Sequence, residues 1–358
     1  MRRLIVALSV LTLLPAATAL AGSPGEEAAP QAAEAAPKTD ENKDPWWRDG
    51  TWTLVVENDR LSNTDRHYTN GIRLGYVSNA KGKDPGPIQT ALRTIYPFAL
   101  KAEGRWGFAL GQNMYSPEDI TRRDVVTNDR PYAGWLYVSP SLHVETTRSM
   151  LGREFGVLDT VAVEIGVVGP ASLAEPTQKF VHRTIDTTRP EGWDHQLSNE
   201  PGIAIIGERK LRTPPLRLGP IEADTIPHIG FALGNVYTHA NAGTIVRIGQ
   251  ALNFDWGPPH IQPSLSGLEA VDKGDGFGWY VFAGVEGRAV GRNIFLDGNT
   301  LAGSHSVDKK TLVGDMQYGI AIVWRGIRLA MTQVMRTREF DAQREGDVFN
   351  SISLSARF

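Results

Sequence analysis

The stretch VENDRLSNTDRHYTNG, from Val56 to Gly71, carries more functional groups than a turn between two strands requires. A tight hairpin needs a few polar residues, often Asn-Gly. Here Glu57, Asn58, Asp59, Asp65, Arg66, His67, Tyr68 and Thr69 all precede Asn70-Gly71. Two more polar stretches follow, NMYSPEDITRRDVVTNDRPY (113–132) and GPASLAEPTQKFVHRTIDTTRPEGWDHQLSN (169–199). None contains a Gly-x-Ser-x-Gly elbow, a His-Glu-x-x-His pair or a glycine-rich phosphate loop, so no motif points to a serine nucleophile or a zinc peptidase. Attack by an activated water is the chemistry these groups could do. It needs a base that titrates near neutrality, as a histidine does at ~6.5, and a cation or fixed donors for the oxyanion.

His182 is the best-placed base. It lies beside the apolar Phe180, Val181 and Ile185 in a segment that Pro176 could open as a short helix. His67 and His195 compete with it. His143 falls inside a strand-like segment and His228 near the start of one, where packing or lumen-lining accounts for them. Asp59 beside Asn58 offers hard oxygen donors suited to calcium, although such a pair is equally an ordinary turn.

These groups need a scaffold, and the rest of the chain describes one. At the C-terminus Asn350, Ile352, Leu354, Ala356 and Phe358 alternate with Ser351, Ser353, Ser355 and Arg357, the period of a strand. Similar segments recur near 51–58, 70–78, 105–112, 134–146, 157–168, 201–209, 227–235, 241–252, 278–289, 312–324, 327–337 and 349–358. About twelve strands, an even number, each about ten residues long and with one large apolar face, predict a transmembrane antiparallel β-barrel, an all-β fold. A secreted soluble β protein is the competing architecture.

The chain's ends support export to the outer membrane. Residues 1–21 read as a signal peptide, with Arg2-Arg3, an apolar run from Leu4 to Leu14 and small residues at the cleavage site. Residues 22–45, rich in Ala, Glu, Pro and Lys, read as a disordered leader, and 46–358 as the barrel domain. There is no cysteine, and the net charge of −3 gives no field for nucleic acid. No later segment has the 18 or more consecutive apolar residues of a membrane helix. With both termini periplasmic, the loops after the first, third and fifth strands are extracellular. The connection 79–104 is periplasmic, and its Ile88, Leu92, Ile95, Tyr96, Ala99 and Leu100 predict an amphipathic helix.

The motifs VENDRLSNTDRHYTNGIRLGY, GQNMYSPEDI, NDRPYAGWLY, EIGVVGP and FVHRTID, in this order and spanning the mature chain, resemble the lipid A 3′-O-deacylase (LpxR) family. The resemblance implies a twelve-stranded outer-membrane barrel that removes the 3′-linked acyloxyacyl group from lipid A of lipopolysaccharide in the outer leaflet. It implies a monomer with a site between the barrel wall and a short helix in an extracellular loop, and a need for a divalent cation, typically Ca2+. It assigns His182 as the base, Asn58 and Asp59 as oxyanion and cation groups, and Thr69 as their neighbour. Where the family pattern has a lysine after YSPEDIT, this chain has Arg122, with Arg123 adjacent. Either arginine could hold a phosphate or the oxyanion. Two other readings keep the same fold: a non-enzymatic barrel, porin or lipopolysaccharide-binding, and a phospholipase-like barrel.

Overall fold

The computed structural model describes residues 50–59, 67–78, 87–95, 104–150, 152–258 and 276–357. The signal, the leader and the terminal Phe358 lie outside the described residues. Alternation becomes strand throughout: β1 (Gly50–Asn58), β2 (His67–Ser78), β3 (Arg105–Ser116), β4 (Ala133–Met150), β5 (Arg153–Val168), β6 (Glu200–Arg212), β7 (Leu216–Leu218), β8 (Ile221–Gly234), β9 (Tyr237–Gln250), β10 (Phe277–Asn293), β11 (Leu312–Trp324), β12 (Ile327–Arg336) and β13 (Asp347–Arg357). Sequential neighbours pair antiparallel, β1 pairs with β13, and β6 pairs with β8, so twelve strands form a closed ring. The three-residue β7 pairs with the start of β8 outside that ring. It was not anticipated, because three residues are too few to show a period.

Closure leaves no unpaired edge in the membrane. The two faces of each strand then differ in kind. On β13, Ser351, Ser353 and Ser355 are buried, while Ile352 and Leu354 face out. On β12, Leu329, Met331 and Met335 are exposed, and Arg328, Thr332 and Arg336 are buried.

The interior is plugged by paired charges. Arg247 bridges Asp224 (2.5 Å) and Asp255 (2.6 Å), and Arg328 reaches Asp255 at 3.0 Å. Asp315 holds Arg288 (2.8 Å) and Arg336 (2.9 Å), and Arg130 meets Glu339 at 2.7 Å. Arg130, Arg247 and Arg328 are all under 2 % exposed. Charges sealed from water need partners of this kind, whereas a conducting pore keeps its lining solvated.

Among the described residues three α-helices decorate the barrel: α1 (Pro87–Ile95), α2 (Ala174–Thr184) and the one-turn α3 (Ile294–Asp297). The helix expected in the 79–104 connection is present as α1, whose Leu92 packs on Leu142, Val144 and Val161; Tyr96, Ala99 and Leu100 lie outside the described residues. Several strands outrun the ten residues expected, with β4 at 18 and β5 at 16, because their hairpin ladder continues almost to the turn.

Candidate active site

Helix α2 is laid against the outside of the barrel by the chain that precedes it. Gly169 adopts φ 96°, open to glycine, and its N–H donates to the Gly134 carbonyl at 3.0 Å. A 3-10 turn, Pro170–Ser172, follows, and Leu173 turns left-handed (φ 60°) before α2 begins at Ala174. Helix α2 thus starts two residues ahead of Pro176. Gln112 on the outer face of β3 donates its Nε2–H to the Ser172 carbonyl at 2.6 Å. Ala174 joins a buried cluster with Met114, Ile120, Tyr132 and Trp193. Contact is so close at Gly134 that a Cβ there would lie 2.0 Å from Ser172 Oγ and 2.3 Å from Ala174 Cβ.

The helix presents a polar face to the wall. Ala174, Gln178 and His182, spaced four apart, are its buried residues. Phe180 is 53 % exposed and Leu173 56 %. The sequence reading grouped His182 with an apolar face that includes Phe180; the helix instead turns Phe180 away from the barrel.

His182 is buried, and its Nδ1 lies 2.5 Å from the Thr188 carbonyl. A carbonyl only accepts, so Nδ1 carries the proton and the neutral ring has its lone pair on Nε2, the tautomer a base needs. One turn earlier, Gln178 accepts from Trp193 Nε1 at 2.7 Å, and its own Nε2, in a residue 2 % exposed, has no hydrogen-bond partner among the described residues.

Next to the helix, the wall contributes the ends of β1 and β2. Asn58 pairs in register with Asn70, Asn70 with Met114, and Met114 with Gly134, so Asn58 and Asn70 share the row over which α2 begins. The register between β2 and β3 slips between Tyr68 and Asn70, leaving Thr69 as the extra residue of a bulge. Without it, Tyr68 and Asn70 would share a face. With it, Tyr68 turns inward, its hydroxyl donating to Glu57 at 2.9 Å, while Asn70 aligns with the outward row. Thr69 therefore stands beside Asn58 in the backbone, although its side chain lies outside what is described. Asp59 follows Asn58 in a bend and is 2 % exposed.

The remaining candidates separate from this group. Arg122 is on the surface, its guanidinium bound to Asp124 at 2.5 Å, and Arg123, with its side chain 80 % exposed, sits 3.4 Å from Glu191. His67 is buried against Asp347 (2.6 Å) and Asp129 (3.6 Å), where it ties the start of β2 to the start of β13 and to the loop between β3 and β4. Burial opposes ionisation of Asp129, but hydrogen bonds from His67 and from the Glu118 and Arg130 backbone N–H groups outweigh it and hold this carboxyl below the usual range. His195 is exposed. His143 bonds to Ser141 and Thr160, and His228 to Glu286, in structural settings.

Among the described residues no group of three or more His, Asp or Glu side chains is placed to hold an ion. Asp59 and Asn58 are nonetheless the oxygen donors a hard cation takes, and calcium completes such sets with carbonyls and water.

Gln178 and Asn70 were not singled out from sequence. Gln178 could have been found from its i, i+4 spacing to His182. Asn70 was hidden in an ordinary-looking Asn-Gly turn signal.

A closed antiparallel barrel of twelve strands, with large apolar residues on its outer face, defines a transmembrane β-barrel of the outer membrane. The profile of outer membrane protein LpxR matches residues 7–358, and the chain belongs to that family. LpxR from Salmonella typhimurium shares the fold, with a TM-score of 0.68 at 20 % identity over 86 % of this chain and all of that one. The NanC porin (TM-score 0.36, 6 % identity, 86 % of this chain and 100 % of that one) and the β domain of the Bordetella autotransporter BrkA (0.38, 10 %, 86 % and 99 %) are similar at much lower scores. No curated protein sequence matches the chain.

Proposed function

We propose that this protein is a carboxylic ester hydrolase that removes the 3′-linked acyloxyacyl group of lipid A in the outer leaflet, acting as a monomer. The observation that carries this reading is His182, its tautomer set by the Thr188 carbonyl, on a helix face turned toward a polar part of the outer wall. A substrate that reaches this face comes from the bilayer, with its ester at the height of the rim.

Nε2 of His182 takes a proton from water as the water oxygen attacks the ester carbonyl. Negative charge then develops on the carbonyl oxygen. Amide N–H groups of Asn58 and Gln178, and the Thr69 hydroxyl, stabilise it as fixed donors. Asp59, with Asn58 beside it, would hold a divalent cation such as Ca2+, which supplies positive charge next to that oxygen. Collapse of the tetrahedral species releases the sugar 3′ oxygen, which takes the proton back from His182, and the acyloxyacyl chain leaves as a carboxylic acid. Arg122, or Arg123 beside it, binds a lipid A phosphate at the outer edge.

The buried ion pairs that fill the barrel oppose the porin alternative. Mass spectrometry of lipid A from membranes with and without the protein tests the reading. Loss of one 3-hydroxyacyl chain together with its secondary acyl chain, from the 3′ position only, is expected. Unchanged lipid A in the presence of folded protein and calcium would defeat it, and release of fatty acid from glycerophospholipid instead would redirect it to a phospholipase.

A further inference from the structure

The outer wall carries a second feature, a neutral polar row that continues sideways from Asn58. Tyr318 on β11 pairs with Gln333 on β12, Gln333 with Asn350 on β13, and Asn350 with Asn58 on β1. Strand alternation puts all four on the lipid-facing side. Their side chains are linked: the Tyr318 hydroxyl donates to Gln333 Oε1, and Gln333 Nε2 approaches Asn350 Oδ1 at 3.5 Å.

What surrounds the row makes it unusual. Two residues toward the outside on β11, β12 and β13 are Met316, Met335 and Val348, and two residues inward are Ile320, Met331, Ile352 and, on β1, Val56. Met316, Ile320, Met331 and Met335 are each 40–48 % exposed. A polar collar at the membrane surface would have water beyond it, not another apolar row. Gln333 stands six residues past Ile327, where the strand leaves its periplasmic turn. At about 3.4 Å per residue and a tilt near 40°, that is about 16 Å of height, inside an apolar band about 25 Å tall. Hydrogen-bonding groups facing hydrocarbon are costly unless they bond to something.

We infer that Tyr318, Gln333 and Asn350 form a substrate-binding shelf that takes the neutral ester, amide and hydroxyl groups of a multiply acylated glycolipid, extending from the reaction centre at Asn58. The inference rests on the functional reading above. The row contains no charge, so its chemistry fits carbonyls and hydroxyls and not phosphates. A carboxamide has two N–H donors and two acceptor lone pairs, so one side chain can bond along the row and to a ligand lying over it. From β1 to β11 the row spans three strand spacings, about 14 Å, enough to meet several linkages of one lipid molecule. Its occupant is therefore the belt of linkages between the sugars and acyl chains of one lipid lying along the wall.

Gln333→Leu, Asn350→Leu and Tyr318→Phe test this, because apolar residues suit a lipid-facing wall and leave the backbone ladder intact. Each is expected to raise KM for lipid A about 3- to 10-fold with kcat within twofold, and the double Gln333→Leu/Asn350→Leu variant to raise it further. A second arm reads binding alone, by native mass spectrometry of the His182→Ala protein with intact lipid A and with lipid A stripped of its phosphates. The shelf substitutions should weaken both lipids by the same factor. Unchanged KM and binding in folded double variant would overturn the shelf, as would an effect confined to the phosphorylated lipid. A fall in kcat with no change in KM would assign the row to wall structure instead. If wild-type protein releases no chain from lipid A, the functional reading fails, while the binding arm still decides the shelf.

Discussion

Adding one methyl group at Gly134 would show whether contact with the wall positions the helix for catalysis. A Cβ at this position comes 2.3 Å from Ala174 Cβ and 3.1 Å from Ser172 Cβ, and neither atom can rotate away. Ser172 Oγ, at 2.0 Å, can. Ordinary contact begins at 3.4 Å, so the start of α2 must retreat by about 1 Å in Gly134→Ala. His182 lies two turns along the same buried face and moves with the helix. Misplacing a catalytic group by 1 Å can cost ~10²-fold, so kcat for deacylation should fall about 10- to 100-fold. The barrel should persist, since Gly134 keeps its backbone pairing with Met114. Gly287→Ala, with nothing within 4 Å of its Cβ, is the control and should be neutral. Activity is read as acyl chain released from purified lipid A, and folding as the mobility difference between boiled and unboiled protein on gels. A folded Gly134→Ala enzyme with undiminished kcat would refute the claim that this contact places the catalytic group.

Three further outcomes are expected. Chelation should abolish hydrolysis and calcium should restore it, with Asp59→Ala behaving like the chelated enzyme; full activity in excess chelator would remove the cation from the mechanism. Arg122 is surface-exposed and already paired with Asp124, so Arg122→Ala should cost only about 3- to 10-fold in kcat/KM. That loss should disappear when lipid A lacking phosphates is the substrate. Asp129 has a folded pKa below its unfolded value of ~3.9, so it stabilises the rim at pH values above about 4 and loses that contribution as pH falls below. Asp129→Asn should therefore melt earlier at pH 7 and show a smaller drop in melting temperature between pH 7 and pH 3 than wild type.

The barrel was legible because lipid takes large apolar residues on every second position, and Ile352 and Leu354 against Ser351, Ser353 and Ser355 are an undisguised example. All twelve ring strands fall where alternation put them. The existence of a loop helix near Pro176 was legible too, but not its orientation. The sequence puts the apolar Phe180, Val181 and Ile185 beside His182, and only contact with the wall decides that Ala174, Gln178 and His182 are the buried residues. The bulge at Thr69 leaves no mark in a sequence already crowded with polar residues, yet it decides that Asn70 faces out. Interior pairing was least accessible. Arg328 meets Asp255 across 73 positions and Arg130 meets Glu339 across 209, and only closure of the ring brings them together. His67 shows the same limit: its type and neighbourhood suggest a base, while Asp347, far along the chain, makes it a structural tie.

His182→Ala tests the central claim most directly, by lipid A mass spectrometry on matched membranes that contain equal amounts of folded wild-type or variant barrel. General-base catalysis is worth ~10²–10⁴-fold, so the variant should leave the 3′ acyloxyacyl chain in place where wild type removes it. His195→Ala, altering an exposed side chain, should match wild type. Removal of the chain by His182→Ala at a near-normal rate would contradict the account and leave the wall-facing histidine a structural one.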